Sequence, residues 1–277
     1  MTAAEKVWLI TGTSRGFGRE WAQAALERGD RVAATARDTA SLKALTDAHG
    51  DRVLPIALDV TDKAAVDAAV ARAHDHFGRL DVVVNNAGYG HFGTIEEVTE
   101  EEARAQIETN LFGALWVTKA ALPYLRAQGS GHFLQVSSIG GLTAFPNLGL
   151  YHASKWGLEA FSQSLAQEVA PFGVHVTIVE PTGYSTDWGG SSAAHSTPID
   201  VYEPARAARA ARTRPGMVGD PAATRGPVLE IVDAENPPLR FFLGRGQVDR
   251  ISAEYDNRVE TWRAWEPLSE QAHGDPR

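Results

Sequence analysis

The sequence predicts an α/β fold built on one parallel sheet. Two observations carry that prediction. Short apolar runs of strand type alternate with helical patterns along most of the 277 residues. Such alternation lays a parallel sheet between two layers of helices. The first run, Val7-Trp8-Leu9-Ile10, passes through the turn Thr11-Gly12-Thr13-Ser14-Arg15-Gly16-Phe17-Gly18 into a helical pattern carrying Trp21, Ala22, Ala25 and Leu26. Strand, glycine turn and helix in that order set backbone N–H groups at a helix N-terminus, where a pyrophosphate can bind.

The strand runs lie at 7–11, 31–36, 52–57, 81–85, 132–137 and 175–180, with a seventh at 240–243. Helical patterns fill 63–77 and 100–127. Residues 158–172 extend the helix that starts near Tyr151 and ends near Pro171 and Gly173. From Gly183 to about Pro227 the pattern breaks. Gly189-Gly190-Ser191-Ser192 is flexible, Pro198, Pro204, Pro215 and Pro221 punctuate the rest, and 204–214 reads as a short helix. This stretch follows a strand C-terminus, where open α/β sheets bind ligands, so 183–227 is expected to be a substrate lid. Residues 251–277 read as a polar helical extension with Trp262 and Trp265 as docking aromatics. The whole chain, 1–277, is expected to form a single domain.

Hydrophobic residues make up 43% of the chain, enough for a sizeable core. The net charge of −9 with no basic run argues against nucleic acid as a partner. With no cysteine, disulfides and thiolate chemistry are out. The first residues lack a signal-peptide pattern and no run of about 18 apolar residues occurs, so no membrane span and a cytoplasmic location are expected. The scattered histidines suggest no metal site; His74 and His76, two residues apart on a helix, do not face each other.

Tyr151 and Lys155 stand four residues apart in Tyr-His-Ala-Ser-Lys. On a helix they share a face. A cation beside a phenol favours the phenolate, and this makes a tyrosine usable as an acid or base near neutral pH. Ser138 lies thirteen residues upstream of Tyr151. Strand alternation points its neighbour Ser137 the other way. His152 is turned about 100° from Tyr151 and is expected to pack or face outward.

The turn spacing Thr-Gly-x-x-x-Gly-x-Gly, Asn85-Asn86-Ala87-Gly88, Ser138 and the Tyr151/Lys155 pair, in that order, resemble the short-chain dehydrogenase/reductase family from about residue 7 to 186. The resemblance implies a Rossmann-type, doubly wound parallel sheet with helices on both faces. It assigns Gly12, Ser14, Arg15, Gly16, Phe17 and Gly18 to the cofactor's phosphates. Asp59 and Val60 fall to the adenine, and Asn86, Ala87 and Gly88 to the adenosine side, with Asn85 partly structural. Pro181, Thr182, Gly183 and Thr186 fall by the nicotinamide. Here the chain departs from the family pattern, with Thr182 where glycine is usual. The catalytic group is Asn110, Ser138, Tyr151 and Lys155. Tyr151 is the acid/base, and Lys155 lowers its pKa and binds the nicotinamide ribose. Ser138 holds the substrate oxygen, and Asn110 holds a relay water.

NAD-preferring relatives carry an acid just after the second strand. Here Ala36 and Arg37 stand there, and Asp38 reads as a turn cap. Arg15 and Arg37 together would pair with a 2′-phosphate, so NADP(H) is expected over NAD(H). Pocket walls are expected at His91, Phe92, Gly140, Phe145, Leu148, Tyr184 and Trp188. Their apolar character suits a small hydrophobic carbonyl or alcohol, as in the steroid- and retinol-dehydrogenase-like branch. The alternatives are a ketoreductase on carrier-bound acyl chains, an isomerase or dehydratase using the same tyrosine, and a non-catalytic dinucleotide-sensing regulator. Family pairing through the helices of Asn110 and Tyr151 implies a homodimer or homotetramer.

Overall fold

The computed structural model describes residues 5–212 and 218–274. The chain divides into two compact units, 1–243 and 244–277. In the first unit, β1 (Val7–Ile10), β2 (Arg31–Ala36), β3 (Val53–Ala57), β4 (Val82–Asn85), β6 (Gly131–Val136), β7 (Val174–Pro181) and β9 (Arg240–Leu243) form one sheet in the order β3-β2-β1-β4-β6-β7-β9. All six pairings are parallel. Two further strands of two residues each, β5 (His91–Phe92) and β8 (Ala194–His195), pair beyond the sheet's edge with His91 opposite Ala194.

Side-chain alternation along the strands builds the two faces. Val7 and Leu9 of β1 join a core with α3 (Lys63–Phe77), α5 (Gly113–Gln128) and α6 (Gly149–Val169). Trp8 and Ile10 join a core with α1 (Gly16–Arg28), α2 (Lys43–His49) and α8 (Arg225–Asp233). The buried indoles keep their N–H groups paired, as burial requires: Trp8 donates to Asp30 at 2.8 Å and Trp21 to Thr224 at 2.8 Å.

The helical pattern at 100–127 is not one helix. It divides into α4 (Glu100–Ile107) and α5, joined by a π-turn over Glu108–Phe112. The wider turn rolls Asn110 inward, where it is buried. A single inserted π-turn of this kind often marks a functional site. In the region expected to form a lid, α7 spans Glu203–Arg212, and residues 213 and 214 of the expected helix lie outside the described residues, as does Pro215.

The second unit is described by α9 (Gln247–His273). Trp262 and Trp265 do not dock; they are 65% and 59% exposed. They share one face of α9 with Val248, Ile251, Tyr255 and Val259, at helical spacing, and stay exposed on it.

Candidate active site

The sheet order reverses between β1 and β4: β1 leads outward to β2, while β4 leads to β6 on the other side. Such a switch point opens a crevice at the strand C-termini. A cleft of about 900 Å³ occupies it, running from Arg37 and Asp59 past Gly12–Phe17 to Tyr151 and Trp188.

Three glycines shape the near wall. Gly12 and Gly16 hold φ of +70° and +59°, which L side chains rarely adopt. Gly18 does not touch the cleft but sets the turn behind it. A Cβ there would stand 2.5 Å from the Gly12 carbonyl oxygen and from Asn86 Nδ2. Asn86 Nδ2 donates to the carbonyls of Thr11 and Gly12, at 2.8 and 3.0 Å, and pins the turn from the β4 side. Asn85 is a sheet residue, donating to Thr118 and Gln135. Ser14, Arg15, Phe17, Ala87 and Gly88 line the cleft.

Arg37, Asp59 and Val60 line its far end. Asp38 caps the next turn, accepting from Ala40 N–H at 2.9 Å. Arg37 is exposed and makes no ion pair among the described residues. Arg15 reaches across to Asp187 at 3.3 Å. Thr182 continues the strand, its N–H donating to Leu243 at 2.9 Å. The Pro-Thr-Gly order therefore lengthens the pairing with β9, and Gly183 needs no left-handed backbone. Pro181, Gly183 and Thr186 line the cleft beside it.

At the inner end stand Ser138, Tyr151 and Lys155. The first turns of α6 carry Tyr151 and Lys155, both buried. Ser138 follows β6 by two residues and stands close enough to the Tyr151 phenol to pull its pKa down. Its Oγ accepts from Gly140 N–H at 3.0 Å, which fixes the hydroxyl. Ser137 turns away, toward Glu159. Burial pushes the Tyr151 phenol up to about 12, against the pull of Ser138. The expected lowering by Lys155 does not prevail. Its Nζ lies 5.9 Å from the Tyr151 ring centroid and donates to the Val136 carbonyl at 2.8 Å. Burial also brings the lysine down to about 8. The site by itself therefore holds a protonated phenol at neutral pH.

Asn110 is one layer behind the cleft. Its Oδ1 accepts from Tyr89 N–H, and its Nδ2 donates to the Tyr89 carbonyl and to Ser154 Oγ. Gly88 makes room for it: a Cβ there would be 3.0 Å from Asn110 Oδ1 and 3.7 Å from Lys155 Nζ.

The segment after β7 comes over Tyr151 through Trp188. The two rings meet edge to face at 5.0 Å. Gly90 lets the indole lie close, since a Cβ there would be 2.7 Å from it. Phe145, Leu148, Gly140 and Tyr184 line the cleft as expected, but His91 and Phe92 do not. Phe92 backs Trp188 at 5.5 Å. His91 is buried, with Nε2 2.8 Å from Ser196 Oγ, which donates to Glu102. Both residues belong to β5, and its pairing with β8 turns them toward the segment after β7 rather than the cleft.

Two further residues shape the site, of which only Glu97 was absent from the sequence reading. His152 does not face outward. It is buried on the cleft wall, donating from Nδ1 to the Gly140 carbonyl at 2.8 Å and accepting at Nε2 from Phe145 N–H at 2.9 Å. It thereby ties the 140–145 wall to the helix of Tyr151. Glu97 anchors the segment that carries Ile199 and Arg206, accepting from the Ile199 N–H and from Arg206. The backbone N–H groups of Ile199 and Thr94 hold its carboxyl down to about 2. Neither had a sequence signal, because both partners lie on loops distant in the chain or irregular in form.

The family profile described as short chain dehydrogenase matches residues 6–196. The chain belongs to that family. It is 42% identical over 268 residues to Oxidoreductase BOA17 of Botryotinia fuckeliana, covering 95% of this chain and 98% of the relative. The crystal structure of a short-chain dehydrogenase from Streptomyces avermitilis superposes with a TM-score of 0.88 at 40% identity, covering 96% and 99% of the two chains. An alcohol dehydrogenase from the archaeon Thermococcus sibiricus, complexed with 5-hydroxy-NADP, gives 0.73 at 29% identity over 87% and 96%. A 3-ketoacyl-(acyl-carrier-protein) reductase from Brucella melitensis, complexed with NADH, gives 0.75 at 27% identity over 87% and 98%. The protein is thus an NAD(P)-dependent oxidoreductase of the short-chain type.

Proposed function

We propose that this short-chain dehydrogenase interconverts a hydrophobic ketone or aldehyde and its alcohol, using NADP(H) in preference to NAD(H). The observation that carries the reading is the meeting of Ser138, Tyr151 and Lys155 at the inner end of a cleft whose outer end bears Arg37. The glycine turn, with no side chain at Gly12, Gly16 or Gly18 to obstruct it, suits a pyrophosphate on the α1 N-terminus. Arg37 and Arg15 suit a 2′-phosphate, because guanidinium groups pair with phosphate and no carboxylate follows β2 directly. Asp59 and Val60 suit the adenine, and Thr186, with Pro181 and Gly183, the nicotinamide end.

When bound, the cofactor supplies or takes up the hydride. The chain supplies the rest. Ser138 and Tyr151 hold the substrate oxygen between two hydroxyls, which polarises a carbonyl. Tyr151, protonated at neutral pH, gives its proton to that oxygen during reduction. Lys155, charged beside it, stabilises the phenolate that remains. Asn110 acts from behind, fixing Tyr89 and Ser154. Trp188, Phe145, Leu148 and Tyr184 give apolar walls, and the stretches 140–148 and 184–188 that carry them hold no Arg or Lys. These walls suit a small hydrophobic carbonyl or alcohol, of the kind handled by the steroid- and retinol-dehydrogenase-like branch.

We also read the protein as a homodimer or homotetramer, paired through the π-turn and α6. Exposed Phe112 and Trp156 support this, as apolar residues that pairing would cover. Among the described residues no helix is long and apolar enough to cross a membrane.

The test is a panel of cyclic, aryl and long-chain ketones and aldehydes beside keto acids and phosphorylated ketones, each with NADPH and NADH. The proposal expects cofactor consumption with the apolar compounds, faster with NADPH. Consumption confined to the charged ketones would overturn the substrate class; faster turnover with NADH would overturn the cofactor preference.

A further inference from the structure

Beneath the reacting residues lies a buried cluster of charge that the reaction as described does not use. Glu159 is one helical turn beyond Lys155 on α6, and Glu180 is near the end of β7. Both side chains are nearly or wholly buried, at 6% and 0% exposure. A single cation, Arg240 of β9, serves both. Its Nη1 pairs with Glu159 Oε2 and stands 3.0 Å from Glu180 Oε1, and its Nη2 donates to Gln163 at 3.1 Å. Two buried carboxylates and one guanidinium leave a negative charge in excess. Lys155, one turn back on the same face of α6 and also buried, is a cation placed to balance it. Ser137, just past β6, lies beside Glu159, its buried Oγ without a hydrogen-bond partner among the described residues. A Cβ at Gly141 would meet both Ser137 Oγ and Glu159, at 2.6 and 2.9 Å, so that position is open because the two side chains converge there.

We propose that Glu159, held by Arg240 in this cluster, is a positioning residue that keeps the buried Lys155 protonated behind Tyr151. The inference rests on the reading of Tyr151 and Lys155 as the reacting pair. The charged groups that face Lys155 and Glu159 are each other on α6, Glu180 on β7 and Arg240 on β9. Burial alone drives an ammonium toward its neutral form, and a carboxylate close by restores the charge. Glu180 sets how much charge Glu159 carries. Burial and the neighbouring Glu159 bring the Glu180 carboxyl up to about 7, so the two acids share one proton below neutrality. As Glu180 gives up its proton, the negative charge of the cluster grows in the range where the lysine would otherwise lose its own.

The lysine's own titration decides this. The Lys155 side chain is followed by NMR of protein labelled at the lysine Nζ or Cε, with the resonance assigned by its loss in Lys155→Arg. The inference expects Glu159→Gln to lower the Lys155 pKa by about one unit or more. Glu159→Asp, which keeps the carboxylate, should restore most of that shift. Glu180→Gln should abolish the carboxyl titration near pH 7 in glutamate-labelled protein. A Lys155 pKa that stays in place in Glu159→Gln, in protein whose circular dichroism matches the wild type, overturns the inference. So does an equal shift in Glu159→Asp, which would make the effect one of packing. The reading of the site is judged separately, by whether turnover depends on Tyr151. Where turnover is present, the alkaline limb of its pH profile should move down with the lysine in Glu159→Gln.

Discussion

Replacing Arg37 by alanine is expected to weaken NADPH and spare NADH. Arg37 follows β2 directly, lines the outer cleft, and has no ion pair among the described residues. Its guanidinium gives up nothing to meet a phosphate. A hydrogen bond to a charged group contributes about 1.5–3 kcal/mol, and 1.4 kcal/mol is a tenfold change in affinity, so the loss should be roughly 10- to 150-fold in Kd. Arg15 is a different case. It is paired with Asp187 at 3.3 Å, both side chains about half exposed. Such a pair is worth at most about 1 kcal/mol. Releasing Arg15 from it therefore withholds up to about fivefold of its benefit. Asp187→Asn should return that factor and tighten NADPH by the same amount. The assay is calorimetric titration of each variant with NADPH and NADH in parallel. An equal loss for both cofactors in Arg37→Ala would refute the reasoning, since the nicotinamide dinucleotides differ only at the 2′-phosphate.

Three further outcomes are expected. Gly18→Ala should destabilise by roughly 1–3 kcal/mol, because its Cβ meets the Gly12 backbone oxygen, and should weaken both cofactors, as read by denaturant melts and binding. His152→Leu removes the bonds to Gly140 and Phe145. It should cost about 1–3 kcal/mol for each buried group left unpaired and raise KM for the carbonyl more than for the cofactor, as steady-state kinetics with each substrate varied will read. His132 is buried against Thr177, and burial holds its imidazole down to about 3 against an unfolded value of 6.5. Between those values the unfolded chain binds the extra proton, so stability should fall as pH drops from 6.5 toward 3. Melts across that range should be flatter for His132→Gln.

The sheet was legible because its strands are buried on both faces and read as apolar runs. The strands at 31–36 and 240–243 and the helix at 63–77 agree with the structure to the residue. The glycine turn was legible for a related reason: φ above zero and close backbone approach leave few residue types that fit. The break at Asn110 was not, since residues 100–127 keep a helical period on both sides of the π-turn and the inserted residue changes spacing, not composition. The pairing of β5 with β8 depends on two-residue strands about a hundred positions apart, too short to show a period. That pairing carried His91 away from the cleft. Of the two outcomes open for His152, packing or facing outward, the structure shows packing. Its helical angle was judged rightly, and the 140–145 loop folds over that side of α6 and buries it. The state of Tyr151 depended on burial, which local spacing does not reveal; Lys155 is on the right face, yet desolvation of the phenol outweighs it.

The most direct test of the account is NADPH oxidation, followed by absorbance with an apolar ketone, in wild type and Tyr151→Phe. The account predicts loss of turnover by about 10²- to 10⁴-fold in the variant, with NADPH affinity and thermal stability close to wild type. Turnover retained within a few-fold in Tyr151→Phe would contradict it, and the proton would then have to come from a group other than the Tyr151 phenol.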